Sequence, residues 1–227
     1  KQLLKDGSQW GINISYAEQP KPEGLAQAFI IGEDFIGNSQ VCLILGDNIF
    51  YGSDIESQIT KATAQEEGAT IFAYYVTDPE RYGVVSFDDK GKASQLKEKP
   101  KNPQSNFAVT GLYMYDNQVI EIAKAVIPSD RGELEITDIN AAYLKRDQLS
   151  VELLDRGTAW LDTGTVGSLL DAANFIRVLE ERQGLKIACI EEIVYQKGYI
   201  SADELTALAM PLEKSGYGSY LLRLLES

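Results

Sequence analysis

Val41-Cys42-Leu43-Ile44-Leu45-Gly46-Asp47-Asn48 is the stretch that decides how this chain folds. Its apolar run is too short for a helix, and it suits a buried parallel strand whose C-terminal end is exposed. Gly46 and Asp47 then carry a carboxylate just past the last paired residue. Outward from this strand, helical and strand patterns alternate. Upstream, residues 13–17 alternate like a strand and residues 24–35 read as a helix. Downstream, 53–67 reads as a helix and 70–76 as a strand. Strands over 83–87 and 93–97 flank the turn-like Asp88-Asp89-Lys90-Gly91. A further strand covers 107–115 and a helix 134–146.

Residues 165–183 give the strongest helical pattern, with Leu169, Ala173, Ile176 and Leu179 along one stripe. Beyond Gly184 only short helices are expected, one opened by the capping box of Ser201 and Glu204. The order predicts an α/β fold, a Rossmann-like, mostly parallel sheet flanked by helices over residues 1–183. A helical C-terminal appendage, 184–227, follows it. Ligands of such sheets sit beyond the carboxyl ends of the strands.

The net charge of −13 argues against nucleic acid and anionic membrane surfaces as partners, since both need a basic footprint. Small phosphorylated ligands stay open, because local cations or a bound metal can offset the field. Cys42 and Cys189, far apart and in apolar contexts, read as buried free thiols, which fits a cytoplasmic protein. No apolar run is long enough to span a bilayer. The chain starts at Lys1 in what reads as the end of an element, so a missing start is expected. It contains no His, which leaves carboxylates, Lys and Arg for any chemistry.

Five segments carry such chemistry. Asp47 is placed either to hold Mg²⁺, a hard cation that takes oxygen ligands, or to cap a turn. In Trp160-Leu161-Asp162-Thr163-Gly164-Thr165, Asp162 is a second candidate ligand; the alternative is a capping turn beside a packed Trp. In Lys97-Glu98-Lys99-Pro100, Glu98 can accept from sugar hydroxyls and Lys99 can neutralise a phosphate, unless the run is simply a solvated face. Arg81-Tyr82-Gly83 offers a flat aromatic face beside a glycine that admits close approach. In Glu18-Gln19-Pro20 and the following Gly24-Leu25-Ala26, an amide and free N–H groups could meet a base.

Taken in order, these segments, with Leu-Gly-Asp-Asn-Ile-Phe-Tyr-Gly and Arg-Gly-Glu-Leu-Glu-Ile-Thr-Asp-Ile-Asn, resemble the sugar-1-phosphate nucleotidylyltransferases. The resemblance runs from about Asp6 to the C-terminus, and the two long strings are similar to the branch that transfers thymidylyl groups. It implies a reaction in which glucose 1-phosphate attacks dTTP to give dTDP-glucose and pyrophosphate. It also implies that Asp47 and Asp162 hold Mg²⁺, with Trp160 near the sugar. Lys99 would grip the 1-phosphate, Tyr82, Gly83, Glu98 and Val109 would line the glucose pocket, and Gln19 and Gly24 would read thymine. A homo-oligomer, a tetramer, is implied as well. So is a regulatory nucleotide site around Tyr51, Gly52, Arg156, Glu192 and Ile193, with Gln196 where the family has Arg.

The family's Gly-Gly-x-Gly-Thr-Arg-Leu loop, which cradles the triphosphate, has no counterpart in this sequence, and Val166 stands where His is usual. The chain by itself is therefore expected to be inactive. Two other readings follow: a noncatalytic sugar-nucleotide-binding relative, or a transferase that uses UTP.

Overall fold

A computed structural model describes residues 1–226. Two compact units divide the chain, one formed by Glu18–Leu169 and the other by Lys1–Ala17 with the residues from Leu170 onward. Sequence reading divides it at 183/184 instead.

The larger unit contains α1 (Gln27–Ile31), α2 (Glu33–Ile36), β1 (Val41–Ile44), β2 (Asn48–Tyr51), α3 (Ile55–Thr63) and β3 (Ala69–Tyr75). These are followed by β4 (Gly83–Phe87), β5 (Ala93–Glu98), β6 (Phe107–Tyr115), α4 (Val119–Ala125) and α5 (Ile136–Lys145). β7 (Leu149–Leu153), β8 (Ala159–Asp162) and the start of α6 (Val166–Gln183) complete it. The main sheet runs β5-β4-β6-β3-β7, and β1 also pairs with β6. β6 is its spine, rich in β-branched and aromatic residues and buried from Ala108 onward.

The α/β class holds, but the sheet is mixed rather than mostly parallel. β3 and β7 pair in parallel, while β1–β6, β3–β6, β4–β5 and β4–β6 are antiparallel. The links explain this. The turn between β4 and β5 can only reverse the chain, whereas parallel neighbours need a longer connection, and β3 and β7 are separated by β4, β5, β6, α4 and α5. β1 also departs from expectation: it is antiparallel to β6, and Cys42 and Ile44 are exposed on one face. A continuous apolar run does not by itself distinguish a strand covered on both faces from one covered on a single face.

The core joins Phe29 of α1, Ile71 and Ala73 of β3, Val85 of β4, Val109, Tyr113 and Tyr115 of β6, and Ile139 and Tyr143 of α5. At one end of β6 the buried Asp116 accepts from Gly68 N at 2.7 Å and Tyr143 Oη at 2.6 Å, tying β3 and α5 to the spine. The helix expected over 24–35 is shorter and broken at Gly32. Gly24 precedes it at φ 110°, where a side chain would meet the Leu134 backbone 2.3 Å away.

In the smaller unit, α7 (Ile190–Gln196), α8 (Ala202–Ala209) and α9 (Gly216–Arg223) surround a core of Val194, Ile200, Leu205, Tyr220 and Leu221. Trp10 enters this core with Ile12 and Ile14 packed on it. Residues 13–17 form no strand: Ile12 N and Ile14 N bond back to Gly7 O and Asp6 O, so the alternation reflects packing on helices. The Ser201–Glu204 capping box forms as expected. Cys189 is buried, as expected, and Cys42 is not. The buried side of α6 is centred on Ala172, while Leu169 and Leu170 are exposed, so the stripe through Leu169 and Ala173 is rotated from the one that packs.

Candidate active site

Strand ends of the larger unit enclose a cleft of about 220 Å³. β1 and β2 deliver Asp47 and Asn48 to it, β4 and β5 deliver Gly83, Glu98 and Lys99, β6 delivers Val109, and β8 delivers Trp160 and Asp162. Thus eight of the expected site residues (Asp47, Tyr82, Gly83, Glu98, Lys99, Val109, Trp160 and Asp162) line one space.

Asp47 and Asp162 meet because β2 and β8 form an antiparallel ladder in which Asn48 is opposite Asp162. The link is reinforced by Thr163, whose N and Oγ1 both donate to Asp47 O at 2.8 Å. A Cβ built on Gly164 would lie 3.0 Å from Asp162 Oδ1 and 3.7 Å from Asp47 Oδ2, so both carboxylates border one small region. Arg81 stands 3.6 Å from Asp162 and stacks over Tyr82, with 5.2 Å from Cζ to the ring centre. Its bond to Asp78 strengthens its hold on the proton. Tyr82 in turn leans on Trp160 at 5.1 Å between ring centres. Burial pushes the Tyr82 phenol above its ordinary pKa, so it stays a neutral donor.

In the same cleft Gly83 faces Glu98 across the β4–β5 ladder. Glu98 Oε2 accepts from Thr137 Oγ1 at 2.5 Å, and Arg131 lies 3.6 Å from Oε1. Lys99 follows at φ 38°, a left-handed backbone unusual for a residue with a side chain, held by Lys99 N donating to Tyr82 O at 3.0 Å. Among the described residues Lys99 makes no ion pair, so its cation is free for a ligand.

Gln19 and Gly24 do not line this cleft, although their neighbour Leu25 does. Gln19 Nε2 donates to Gly24 O at 3.2 Å and to Gln27 at 2.6 Å, so the two form one loop. Of the expected regulatory residues, Tyr51 lies at the far end of the β2–β8 ladder opposite Ala159, with Gly52 against Thr158 and Arg156 exposed nearby. Glu192 and Ile193 belong to the smaller unit, where Glu192 accepts from Tyr220 and from Gln196.

Asn48, Gly111 and Thr137 are cleft residues that the sequence reading did not single out. A second cleft of about 230 Å³ beside β1 and α3 contains no charged side chain, so it is poorly suited to phosphate. No three Asp, Glu, Cys or His residues converge as a metal cage among the described residues. No helix among them is long and apolar enough to cross a membrane.

The cleft thus brings two carboxylates and an unpaired lysine together at strand ends. The chain belongs to the nucleotidyl transferase family, which matches residues 1–178. It is similar to the glucose-1-phosphate thymidylyltransferase of Neisseria meningitidis, 56% identical over 226 residues, which are 100% of this chain and 78% of the relative. The Mycolicibacterium smegmatis enzyme of the same name is 58% identical, again over 100% of this chain and 78% of its own length. A solved Bacillus anthracis structure, described as a glucose-1-phosphate thymidylyltransferase with a sucrose bound, superposes with TM-score 0.69 at 44% identity. That superposition covers 77% of this chain and 69% of the other. These relatives place the chain in the glucose-1-phosphate thymidylyltransferase branch.

Proposed function

We propose that this cleft serves the transfer of a thymidylyl group from dTTP to glucose 1-phosphate, giving dTDP-glucose and pyrophosphate. The observation that supports the substrate best is that Gly83, Glu98 and Lys99 line the same cleft as the Asp47–Asp162 pair. Glu98, oriented by Thr137, accepts from glucose hydroxyls. Gly83 and Val109 leave room for the ring, Tyr82 and Trp160 cover it, and Lys99 binds the 1-phosphate as a point charge.

A phosphate monoester is largely dianionic at neutral pH, so its oxygen needs no protein base. That oxygen bonds to the α-phosphorus of dTTP as the bond to the β-phosphate oxygen breaks, and pyrophosphate leaves with the electron pair. Positioning and charge neutralisation therefore carry the rate. Asp47 and Asp162 suit a divalent cation of the Mg²⁺ type: both are hard oxygen donors, and two carboxylates without a third leave the remaining positions to phosphate and water. When bound, such an ion offsets charge on the reacting phosphates. The Gln19–Gly24 loop is assigned to thymine. Assembly as a tetramer and a second nucleotide site involving Tyr51, Gly52, Arg156, Glu192 and Ile193 belong to the same reading.

Calorimetry on this chain tests the sugar-phosphate half directly. The reading expects saturable binding of glucose 1-phosphate that Lys99→Ala weakens. Equal affinity for glucose 6-phosphate, or no effect of Lys99→Ala, would contradict it.

A further inference from the structure

We propose that Asn48 is the positioning residue of this site: its side-chain amide joins Gly111 and Trp160 to Asp47 and turns the Asp47 carboxylate toward Asp162. The inference rests on reading Asp47 as a cation ligand. Asn48 Oδ1 accepts from Gly111 N at 2.9 Å and from Trp160 Nε1 at 2.6 Å. Both partners are obligate donors, so only the amide oxygen can face them. The orientation of the amide is thereby decided, and Nδ2 must point the other way. There it donates to Asp47 Oδ1 at 2.8 Å. With Oδ1 tethered, Oδ2 is the oxygen on the Asp162 side, 3.7 Å from the Gly164 Cβ position that lies 3.0 Å from Asp162 Oδ1.

The surroundings are shaped for this amide. A Cβ at Gly111 would come within 2.6 Å of Asn48 Cγ and Oδ1, so only glycine lets the amide reach the backbone of β6. Trp160 is buried, and its indole N–H would otherwise lose its partner. The acceptor half of Asn48 thus serves the fold. The donor half is spent on a carboxylate that is exposed and would be solvated without it. Orienting that carboxylate is what the second half accomplishes, as outer partners do for metal-binding groups generally.

The test uses this chain and Mn²⁺ as the probe, followed by electron paramagnetic resonance, with circular dichroism measured alongside. Asn48→Ala should weaken Mn²⁺ about 10-fold or more while the circular dichroism spectrum is unchanged. Mn²⁺ affinity equal to that of the unsubstituted chain would overturn the proposal. Asp47→Asn separates the two levels of the argument. If it leaves Mn²⁺ binding unchanged, the ligand reading itself fails; if it weakens binding and Asn48→Ala does not, only the positioning role fails. Should Asn48→Ala not fold, ¹⁵N NMR of the unsubstituted chain decides. The Asn48 side-chain NH₂ resonances should shift as Mg²⁺ is titrated and should not shift in Asp47→Asn, whereas resonances indifferent to Mg²⁺ would overturn the proposal.

Discussion

Asn48 and Asp162 are register partners across the antiparallel ladder of β2 and β8, and this pairing sets Asp47 beside Asp162. The two aspartates come from distant parts of the chain, and neither approaches the other through its own strand in the main sheet. A separate two-stranded ladder brings them together, with Thr163 bonded back to the Asp47 carbonyl. The acidic side of the cleft thus rests on a ladder separate from the sheet that contains β4 and β5.

In an assay of the transfer reaction, Asp162→Asn should lower turnover about 100-fold or more. The melting temperature should barely move, because the amide oxygen can still accept from Gly164 N. Steady-state rates and circular dichroism check this; a large loss of stability with little loss of rate would assign Asp162 to the fold.

Lys99→Ala should raise KM for glucose 1-phosphate about 10-fold or more and leave KM for dTTP nearly unchanged, since one phosphate loses its charge partner. An equal rise for both substrates would place Lys99 elsewhere in the reaction.

Gly83→Ala probes the space rather than the charge. The new methyl would sit 3.0 Å from Thr137 Oγ1 and 3.4 Å from Glu98 Oε2, so the hydroxyl–carboxylate pair must give way. About a 10-fold loss in kcat/KM for glucose 1-phosphate is expected. Unchanged kinetics would show that this corner is not in contact with the sugar.

Much of this site was legible because its chemistry is local: Asp47, Glu98, Lys99 and Asp162 each follow or close a strand, where a charged residue has no structural need to be. Asn48 was not legible, since an amide after a carboxylate is ordinary turn composition and its three partners come from β6, β8 and its own chain neighbour. The direction of the sheet was hidden for the same reason: which strand pairs with β6 depends on partners remote in sequence. The strand expected over residues 13–17 failed because Ile12 and Ile14 alternate toward a helical core. By contrast the capping box, a contact between residues three apart, was fully readable.

That capping box carries a pH dependence. The Ser201 backbone N–H and hydroxyl both donate to Glu204 and hold its pKa below the ordinary carboxylate value. A depressed folded pKa contributes stability above the unfolded pKa that is lost as pH falls through the folded one. Ser201→Ala should therefore lower the melting temperature at pH 7 and do so by less at pH 3. A cost independent of pH would mean that the hydroxyl does not act through the carboxylate.

Product formation tests the central claim most directly. Supplied with glucose 1-phosphate, Mg²⁺ and equal dTTP and UTP, the protein should release pyrophosphate and nucleotide sugar in equal amounts, with dTDP-glucose dominating UDP-glucose when the nucleotide sugars are separated by mass. Predominant UDP-glucose would overturn the assignment to thymidylyl transfer. A correctly folded protein that binds both substrates and forms no nucleotide sugar would overturn the assignment as a transferase.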